Sequence, residues 1–387
     1  MISNPLPGEK DPRMPPRTVH GGIKPAELQA LGIDPIDALD FSASISPIGP
    51  PEGVRDAIAQ VDLATYPDPQ CLRLRESLAK HLSFPGGGSG KISPENLLVG
   101  NGSTEIIHLL ARACLSKETG GTAGGETGPT AFILTPTYGE YAGACLIQKA
   151  PVLTQDAGPP PDFRWDLDRA AQTIESRRPA LVFLCNPNNP TGVYLSFDEV
   201  QALAQSAAHE GGILVLDEAY AAFVASAWNT LENTLRLLDL GNVVILRSMT
   251  KSHALTSLRA GYSIAPEALT ALLASYQPDW SVNGLAQAAA EAALDDPGYA
   301  SRSLDEVAGA KRFLIESLID LGFNVPPAAA NFLLVRVKDA PGWRDRLASR
   351  GMFVRDCTSF GLPDFIRVGV RQIADCQRLV EVIKALI

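Results

Sequence analysis

The sequence lacks the features that would place this protein in a membrane, in an oxidising compartment or on nucleic acid. No run approaches the roughly 20 apolar residues that span a bilayer, and the first 18 residues lack the apolar core of a signal peptide. The six cysteines are scattered singly without a CxxC pair, which favours reduced and mostly buried thiols. A net charge of -10 argues against the basic surface that nucleic acid or an anionic membrane would require. We therefore expect a cytoplasmic protein with a small-molecule ligand.

The arrangement of apolar runs predicts the fold class. Six strand-like runs recur along the chain with helical stretches between them, at 97–100, 131–136, 180–187, 212–219, 243–248 and 261–265. This alternation predicts an α/β fold with a mainly parallel central sheet covered by helices on both faces. Ligands of such sheets collect where strands end and loops begin.

The length of 387 residues predicts more than one folded unit. Residues 1–50, with five prolines among the first 18, are expected to form an N-terminal arm and a segment that docks on the smaller domain. A large domain should occupy 51–284 and a smaller α+β domain 285–387. The glycine-rich stretches 85–91 and 117–130 are predicted to be surface loops. The first does not fit a P-loop, whose spacing would need a glycine at 85 and a hydroxyl at 92.

A lysine within a polar run is the first candidate for chemistry. Lys251 lies in RSMTKSHALTSLRAGY, residues 247–262, beside Ser248, Thr250 and Arg259. A lysine at a strand end is usually only a solvated charge. Hydroxyls and an arginine around one ammonium group, however, form an anion site and lower the lysine pKa enough for it to act as nucleophile and proton carrier.

Two more motifs place polar side chains at strand ends. LVLDEAY contains Asp217 and Tyr220, and NPNNPTG contains Asn189. Each has an ordinary interpretation, since an aspartate after a strand can cap the next helix and an Asn-Pro-rich stretch can be only a turn.

The pattern GNGSTEIIHLLARA, residues 100–113, predicts a glycine turn that opens a helix. The backbone amides of Gly102, Ser103 and Thr104 would then face outward at the helix N-terminus, where an anion is favoured. An ordinary helix start is the commoner meaning of such a short glycine pattern.

Taken in order, these motifs resemble those of fold-type I pyridoxal-5'-phosphate (PLP) enzymes of the aspartate aminotransferase superfamily. The nearest branch holds histidinol-phosphate aminotransferase and threonine-phosphate decarboxylase, and the resemblance runs from about residue 20 to the C-terminus. It implies PLP as cofactor, no metal, and Lys251, Asp217 and Tyr220 as catalytic residues. Lys251 would form a Schiff base with PLP, and Asp217 would keep the pyridine nitrogen protonated so that the ring is an electron sink. The cofactor-binding residues it implies are Gly102, Ser103, Thr104, Tyr138, Asn189, Asp217, Tyr220, Ser248, Thr250, Lys251, Arg259 and Tyr66.

Two tyrosines receive specific roles from the resemblance. Tyr138 in TPTYGEY would stack on the pyridine ring, although a buried core tyrosine is the alternative. Tyr66 in YPDP would reach the cofactor phosphate from the neighbouring subunit. The resemblance therefore implies a homodimer with shared active sites.

The substrate residues implied by the resemblance are His20, Asn189, Arg355 and Arg367. Arg367 in FIRVGVR would hold a substrate anion through its planar guanidinium. The segments HGG (20–22), LDFSASISPIGPP (39–51), WSVNGLAQ (280–287) and VRDC (354–357) look most like threonine-phosphate decarboxylase. The reaction would convert L-threonine O-3-phosphate to (R)-1-amino-2-propanol O-2-phosphate in cobalamin biosynthesis.

Two alternatives stay open. An aminotransferase of the histidinol-phosphate type would pass its amino group to 2-oxoglutarate, and a non-catalytic PLP-fold protein would serve as a regulator or binding module. The chain also departs from the family pattern at four positions. Ser44 and Ser46 replace asparagines in the FSANINP segment, and Thr256 and Ser257 replace a proline and a glycine after the lysine.

Overall fold

The computed structural model describes residues 18–83, 91–116 and 128–387. The predicted arm before residue 18 and most of the two predicted glycine-rich loops lie outside these ranges. No helix within them is long and apolar enough to cross a membrane.

Helices and strands alternate through the first two thirds of the described chain. The helices are α1 Pro25–Leu31, α2 Val54–Ala59, α3 Leu72–Ser83, α4 Ser103–Leu115, α5 Glu140–Ile147, α6 Leu167–Arg177, α7 Phe197–His209, α8 Leu231–Leu238, α9 Met249–Ser252, α10 Glu267–Ala274, α11 Gly284–Leu294, α12 Tyr299–Asp320, α13 Ala340–Ala348 and α14 Ile373–Lys384. The strands are β1 Leu39–Asp40, β2 Leu97–Asn101, β3 Ala131–Thr135, β4 Val152–Asp156, β5 Leu181–Cys185, β6 Ile213–Asp217, β7 Val243–Ser248, β8 Ala260–Ile264, β9 Phe332–Arg336, β10 Met352–Phe353, β11 Arg355–Asp356 and β12 Phe365–Gly369.

A seven-stranded sheet in the order β2-β8-β7-β6-β5-β3-β4 forms the centre of the molecule. Every neighbouring pair is parallel except the two that β8 makes with β2 and β7. Successive side chains point to opposite faces, so Phe132 and Leu134 join one buried cluster and Ile133 joins another. Helices α3, α6, α7 and α11 cover the first face and α4, α5 and α10 the second. The predicted α/β fold is confirmed, and β4 is a strand that the sequence reading missed.

A second cluster of buried side chains lies in the C-terminal part. It contains the antiparallel sheet β11-β12-β9 and the inner faces of α12, α13 and α14. β1 pairs in parallel with β10, and Phe41 is fully buried in this cluster. The segment around residue 40 therefore packs with the C-terminal part. The domain boundaries themselves stay a prediction.

Candidate active site

One pocket contains all the predicted site residues except Gly102 and Tyr66. It lies between the carboxyl ends of β5, β6 and β7, the start of α4, and the arginine-bearing strands β11 and β12. This is the edge at which a parallel sheet collects its ligands. The predicted residues that line the pocket are His20, Ser103, Thr104, Tyr138, Asn189, Asp217, Tyr220, Ser248, Thr250, Lys251, Arg259, Arg355 and Arg367.

Lys251 lies on the short helix α9, directly after β7. Burial lowers the pKa of its ammonium group to about 8, and the neighbouring cations Arg367 and Arg259 act in the same direction. Within the described residues, we find no side-chain hydrogen bond or ion pair of this ammonium group. A lysine with little solvation and no anionic partner gives up its proton easily and becomes a nucleophile near neutral pH.

The start of α4 forms a cradle for an anion. Gly102 has a φ of 74°, which favours glycine, and a Cβ there would lie 2.8 Å from a guanidinium nitrogen of Arg259. The Gly102 amide donates to the Arg259 carbonyl at 2.8 Å, so this amide, contrary to the prediction, does not face the anion site. Arg259 itself has a φ of 61°, an unfavourable conformation that places it against the helix start. The hydroxyls of Ser248 and Thr250 lie 2.5 Å apart in the same wall.

Asp217 is a buried carboxylate at the end of β6. Its Oδ2 accepts a hydrogen bond from the Tyr141 hydroxyl at 2.7 Å, and its Oδ1 accepts one from the Ala219 amide at 3.0 Å. Burial raises the pKa of Asp217 above its ordinary value, and the hydrogen bonds from Tyr141 and Ala219 and the charge of Lys251 offset part of this rise. The donors stabilise the ionised carboxylate, which can then pair with a cation in the pocket.

The asparagines of NPNNPTG have different structural roles. Asn186 exchanges hydrogen bonds with the backbone of Leu195. Asn188 accepts from the Thr137 hydroxyl at 2.8 Å and so fixes the loop against the Tyr138 segment. Asn189 remains to face the pocket, where its side-chain oxygen accepts a hydrogen bond from Arg367.

Two arginines face each other on neighbouring strands. Arg355 of β11 is directly opposite Arg367 of β12 in the antiparallel register, and both are buried. Burial and the neighbouring Arg367 lower the pKa of Arg355. Arg367 donates to the Ser42 carbonyl at 2.7 Å, and its Nε has no hydrogen-bond partner in the described part of the chain. Like charges in direct register are unfavourable unless an anion lies between them.

The N-terminal strap, residues 18–22, crosses the mouth of the pocket. The Val19 carbonyl accepts from Arg355 at 3.0 Å, and the Gly22 amide donates to the Ser42 hydroxyl at 2.7 Å. On the opposite side, His20 Nε2 lies 2.8 Å from a Glu140 carboxylate oxygen. The strap therefore contacts both walls and places His20 at the pocket.

Tyr66 lies outside the pocket. The residue is 77% exposed, and its ring stacks on Trp280 with 4.7 Å between ring centroids. The role in a neighbouring subunit's site stays a prediction for this residue.

Some residues that line the pocket, and others that contact its side chains from behind, were not predicted from the sequence. Glu140 and Tyr141 belong to TPTYGEY, but only Tyr138 was selected there. Helical spacing does not link them to Tyr138, because α5 begins at Glu140 and Tyr138 precedes it. Ser42 and Cys185 also line the pocket, and no local pattern distinguishes them from ordinary core residues.

These residues fit PLP. The cradle around Gly102 suits a phosphate, the two-donor carboxylate of Asp217 suits a protonated ring nitrogen, and the weakly basic Lys251 suits an aldehyde. When bound, PLP supplies an electron sink for a bond broken at the α-carbon of an amine substrate.

Comparison with known proteins agrees with this geometry. The model of the family "aminotransferase class I and II" matches residues 36–383. The chain belongs to this family. Its cofactor is PLP. A histidinol-phosphate aminotransferase of Carboxydothermus hydrogenoformans is 32% identical over 375 residues, covering 94% of this chain and 95% of that protein.

Solved structures of similar proteins have the same fold. The histidinol-phosphate aminotransferase of Sinorhizobium meliloti in complex with PLP has a TM-score of 0.81 at 25% identity, covering 95% of this chain and 96% of that one. The L-threonine-O-3-phosphate decarboxylase of Porphyromonas gingivalis has a TM-score of 0.73 at 23% identity, covering 89% and 98%. The latter similarity concerns the fold alone.

Proposed function

We propose that this PLP enzyme acts on a small amine or amino acid that carries a phosphate. The observation that carries the proposal is the direct register of Arg355 and Arg367 in a buried wall of the pocket. Two guanidinium groups can bind a dianion, or one phosphate and one carboxylate, through bidentate hydrogen bonds. His20 on the strap adds a third group able to hydrogen-bond an oxyanion.

Amino transfer of the histidinol-phosphate type is the first candidate reaction. It is supported by relatives such as the Carboxydothermus protein, which is similar over almost the whole of both chains. Each turnover would need a 2-oxo acid to accept the amino group. The two arginines could serve both half-reactions, because a 2-oxo dicarboxylic acid also carries two anionic groups.

Decarboxylation of L-threonine O-3-phosphate is the second candidate. The sequence motifs alone favoured this reaction, and we now rank amino transfer before it because of the similarity to aminotransferases over almost the whole chain. Its specific support is that the HGG segment reaches the pocket, with His20 held by Glu140 and Gly22 by Ser42. If Arg367 took the substrate phosphate, the carboxylate would be free to leave the plane of the ring, where its bond to the α-carbon can break.

The same residues would act in both reactions. Lys251 would hold the cofactor and then carry a proton to or from the substrate carbon, helped by its lowered pKa. Asp217 would accept a hydrogen bond from the ring nitrogen, and Asn189 and Tyr220 would donate to the phenolic oxygen. Asn189 and Tyr220 both contact Arg367. The residues expected to bind the cofactor therefore adjoin the arginine expected to bind the substrate.

One pair of assays separates the candidates. The PLP-loaded protein is incubated with L-threonine O-3-phosphate without a 2-oxo acid, and carbon dioxide is measured over many turnovers. In parallel, amino transfer from histidinol phosphate to 2-oxoglutarate is measured. Transfer without carbon dioxide release supports the first candidate, and sustained release supports the second. Activity only on amines that lack phosphate would overturn the proposed substrate class.

A further inference from the structure

A buried tyrosine lies behind the residue expected to pair with the cofactor ring. Tyr141 is on the first turn of α5 and has no exposed surface. Its ring stacks on Phe183, with centroids 5.0 Å apart, and meets the edge of Tyr138 at 5.6 Å. It lies in the apolar cluster on one face of the sheet, where a hydroxyl needs a hydrogen-bond partner.

The partner of this hydroxyl is Asp217. The 2.7 Å hydrogen bond to Oδ2 gives a partner to both groups. A buried phenol or a buried carboxylate without a hydrogen-bond partner would destabilise the fold. Burial raises the pKa of Tyr141 well above its usual value, so the phenol keeps its proton and remains the donor. The Ala219 amide occupies Oδ1 at 3.0 Å, and the carboxylate is thus held from two sides.

We propose that Tyr141 is a positioning residue that holds the Asp217 carboxylate ionised and oriented toward the cofactor ring nitrogen. The inference rests on the role proposed for Asp217 and deepens it. The titratable or charged groups around this carboxylate are Lys251, Glu218, Tyr138, Tyr141, Tyr220 and Cys185. Tyr141 is the side chain among them that hydrogen-bonds to it directly.

The test is cofactor affinity in a double-mutant cycle. Tyr141→Phe keeps the stacked ring and removes only the hydroxyl. Apoprotein is titrated with PLP across pH, and the dissociation constant is measured for wild type, Tyr141→Phe, Asp217→Asn and the double variant. We expect the dissociation constant of Tyr141→Phe to rise about tenfold, the typical effect of losing a hydrogen bond to a charged group.

Two further readouts distinguish positioning from a merely structural role. Without the phenol, Asp217 keeps its proton to higher pH, so the acid limb of the affinity profile should move to higher pH. In the Asp217→Asn background the same substitution should add almost nothing. Tyr194→Phe is the matched control, because its hydroxyl only accepts a hydrogen bond from the Trp228 amide at 3.2 Å, away from the pocket.

The results test the role of Asp217 and the role of Tyr141 separately. If Asp217→Asn leaves PLP affinity unchanged, the role proposed for Asp217 fails. If Asp217→Asn weakens binding but Tyr141→Phe does not, or if the two effects are additive, the inference about Tyr141 is wrong. Should Tyr141→Phe not fold by circular dichroism, 3-fluorotyrosine at position 141 provides a second test. Its stronger phenol donor should tighten PLP binding, and unchanged binding would refute the inference.

Discussion

Lys251 is surrounded by positive charge rather than by an anionic partner. Burial, Arg367 and Arg259 all lower its pKa, whereas Asp40 and Asp217 raise it less. A pKa of about 8 in place of 10.5 increases the neutral fraction at pH 7 from about 1 in 3,000 to about 1 in 10. The pocket therefore prepares the nucleophile before the cofactor arrives.

The lowered pKa of Lys251 predicts how the reaction of the apoprotein with PLP depends on pH. The covalent step needs the neutral amine, so its rate should rise with pH up to about 8 and level off there. Stopped-flow absorbance between pH 6 and 10 measures it. Lys251→Ala should bind PLP without the visible band of the covalent adduct. A rate that keeps rising to pH 10, or a band retained in the variant, would contradict the assignment.

At the residue scale, the sequence predicted side chains that lie within one contiguous motif. Asp217, Asn189 and Lys251 each lie at or just after the end of a buried strand, and the sheet brings the strand ends together. Tyr141 and Glu140 were missed because their partners, Asp217 and His20, are distant in sequence. The direct register of Arg355 and Arg367 likewise depends on strand pairing, which single motifs do not contain.

At the scale of elements, the segment after β1 connects the lysine to α12. The Ser46 amide donates to the Lys251 carbonyl at 2.9 Å. The Ser46 hydroxyl lies 2.7 Å from that of Ser303 and 2.8 Å from that of Tyr299, both on α12. A serine is shorter than the asparagine that is frequent at this position and cannot span the same hydrogen bonds. Here the hydroxyls of α12 reach the short side chain, so Ser46 still joins the segment to the helix.

The strap provides a prediction about substrate binding. A Cβ on Gly21 would collide with the Ser42 carbonyl, the group that also accepts from Arg367. Gly21→Ala should therefore displace the strap and raise the KM for the phosphorylated substrate about tenfold, since overpacking costs about 1–3 kcal/mol. Steady-state kinetics measures this, and PLP affinity should change little. An unchanged KM would show that the strap does not contribute to substrate binding.

Gly309→Ala is the matched control for that variant. Gly309 lies on the exposed side of α12, and a Cβ there would meet open space. The substitution should leave KM unchanged and stabilise the fold by about 0.5–1 kcal/mol, because alanine is the better helix former.

Strands with continuous apolar runs were predicted better than strands that are short or partly exposed. β5 and β6 are continuous buried runs, whereas β4 at the sheet edge mixes Val152 and Leu153 with exposed polar residues. An edge strand lacks the second apolar face that identifies its neighbours. The β1–β10 pairing could not be predicted either, because strands of two residues show no hydrophobic periodicity.

At the scale of the whole molecule, an exposed aromatic surface remains to be explained. Tyr66 is 77% exposed and Leu63 83% exposed, and Trp280 stacks on Tyr66. Exposed apolar groups of this size commonly mark a contact with another chain. The surface is consistent with the homodimer that we predict, in which Tyr66 enters the partner's pocket.

Complementation between inactive chains tests this arrangement. Lys251→Ala and Tyr66→Ala should each be nearly inactive as homodimers. When the two chains are unfolded together and refolded as a mixture, half of the dimers contain both. In these, one site of two combines an intact lysine with an intact tyrosine from the other chain, so activity should recover to about a quarter of wild type. If Tyr66 serves the site of its own chain, that site is defective in every dimer and no activity returns. Size-exclusion chromatography with light scattering, run on each variant, checks that the loss is not simply failure to associate.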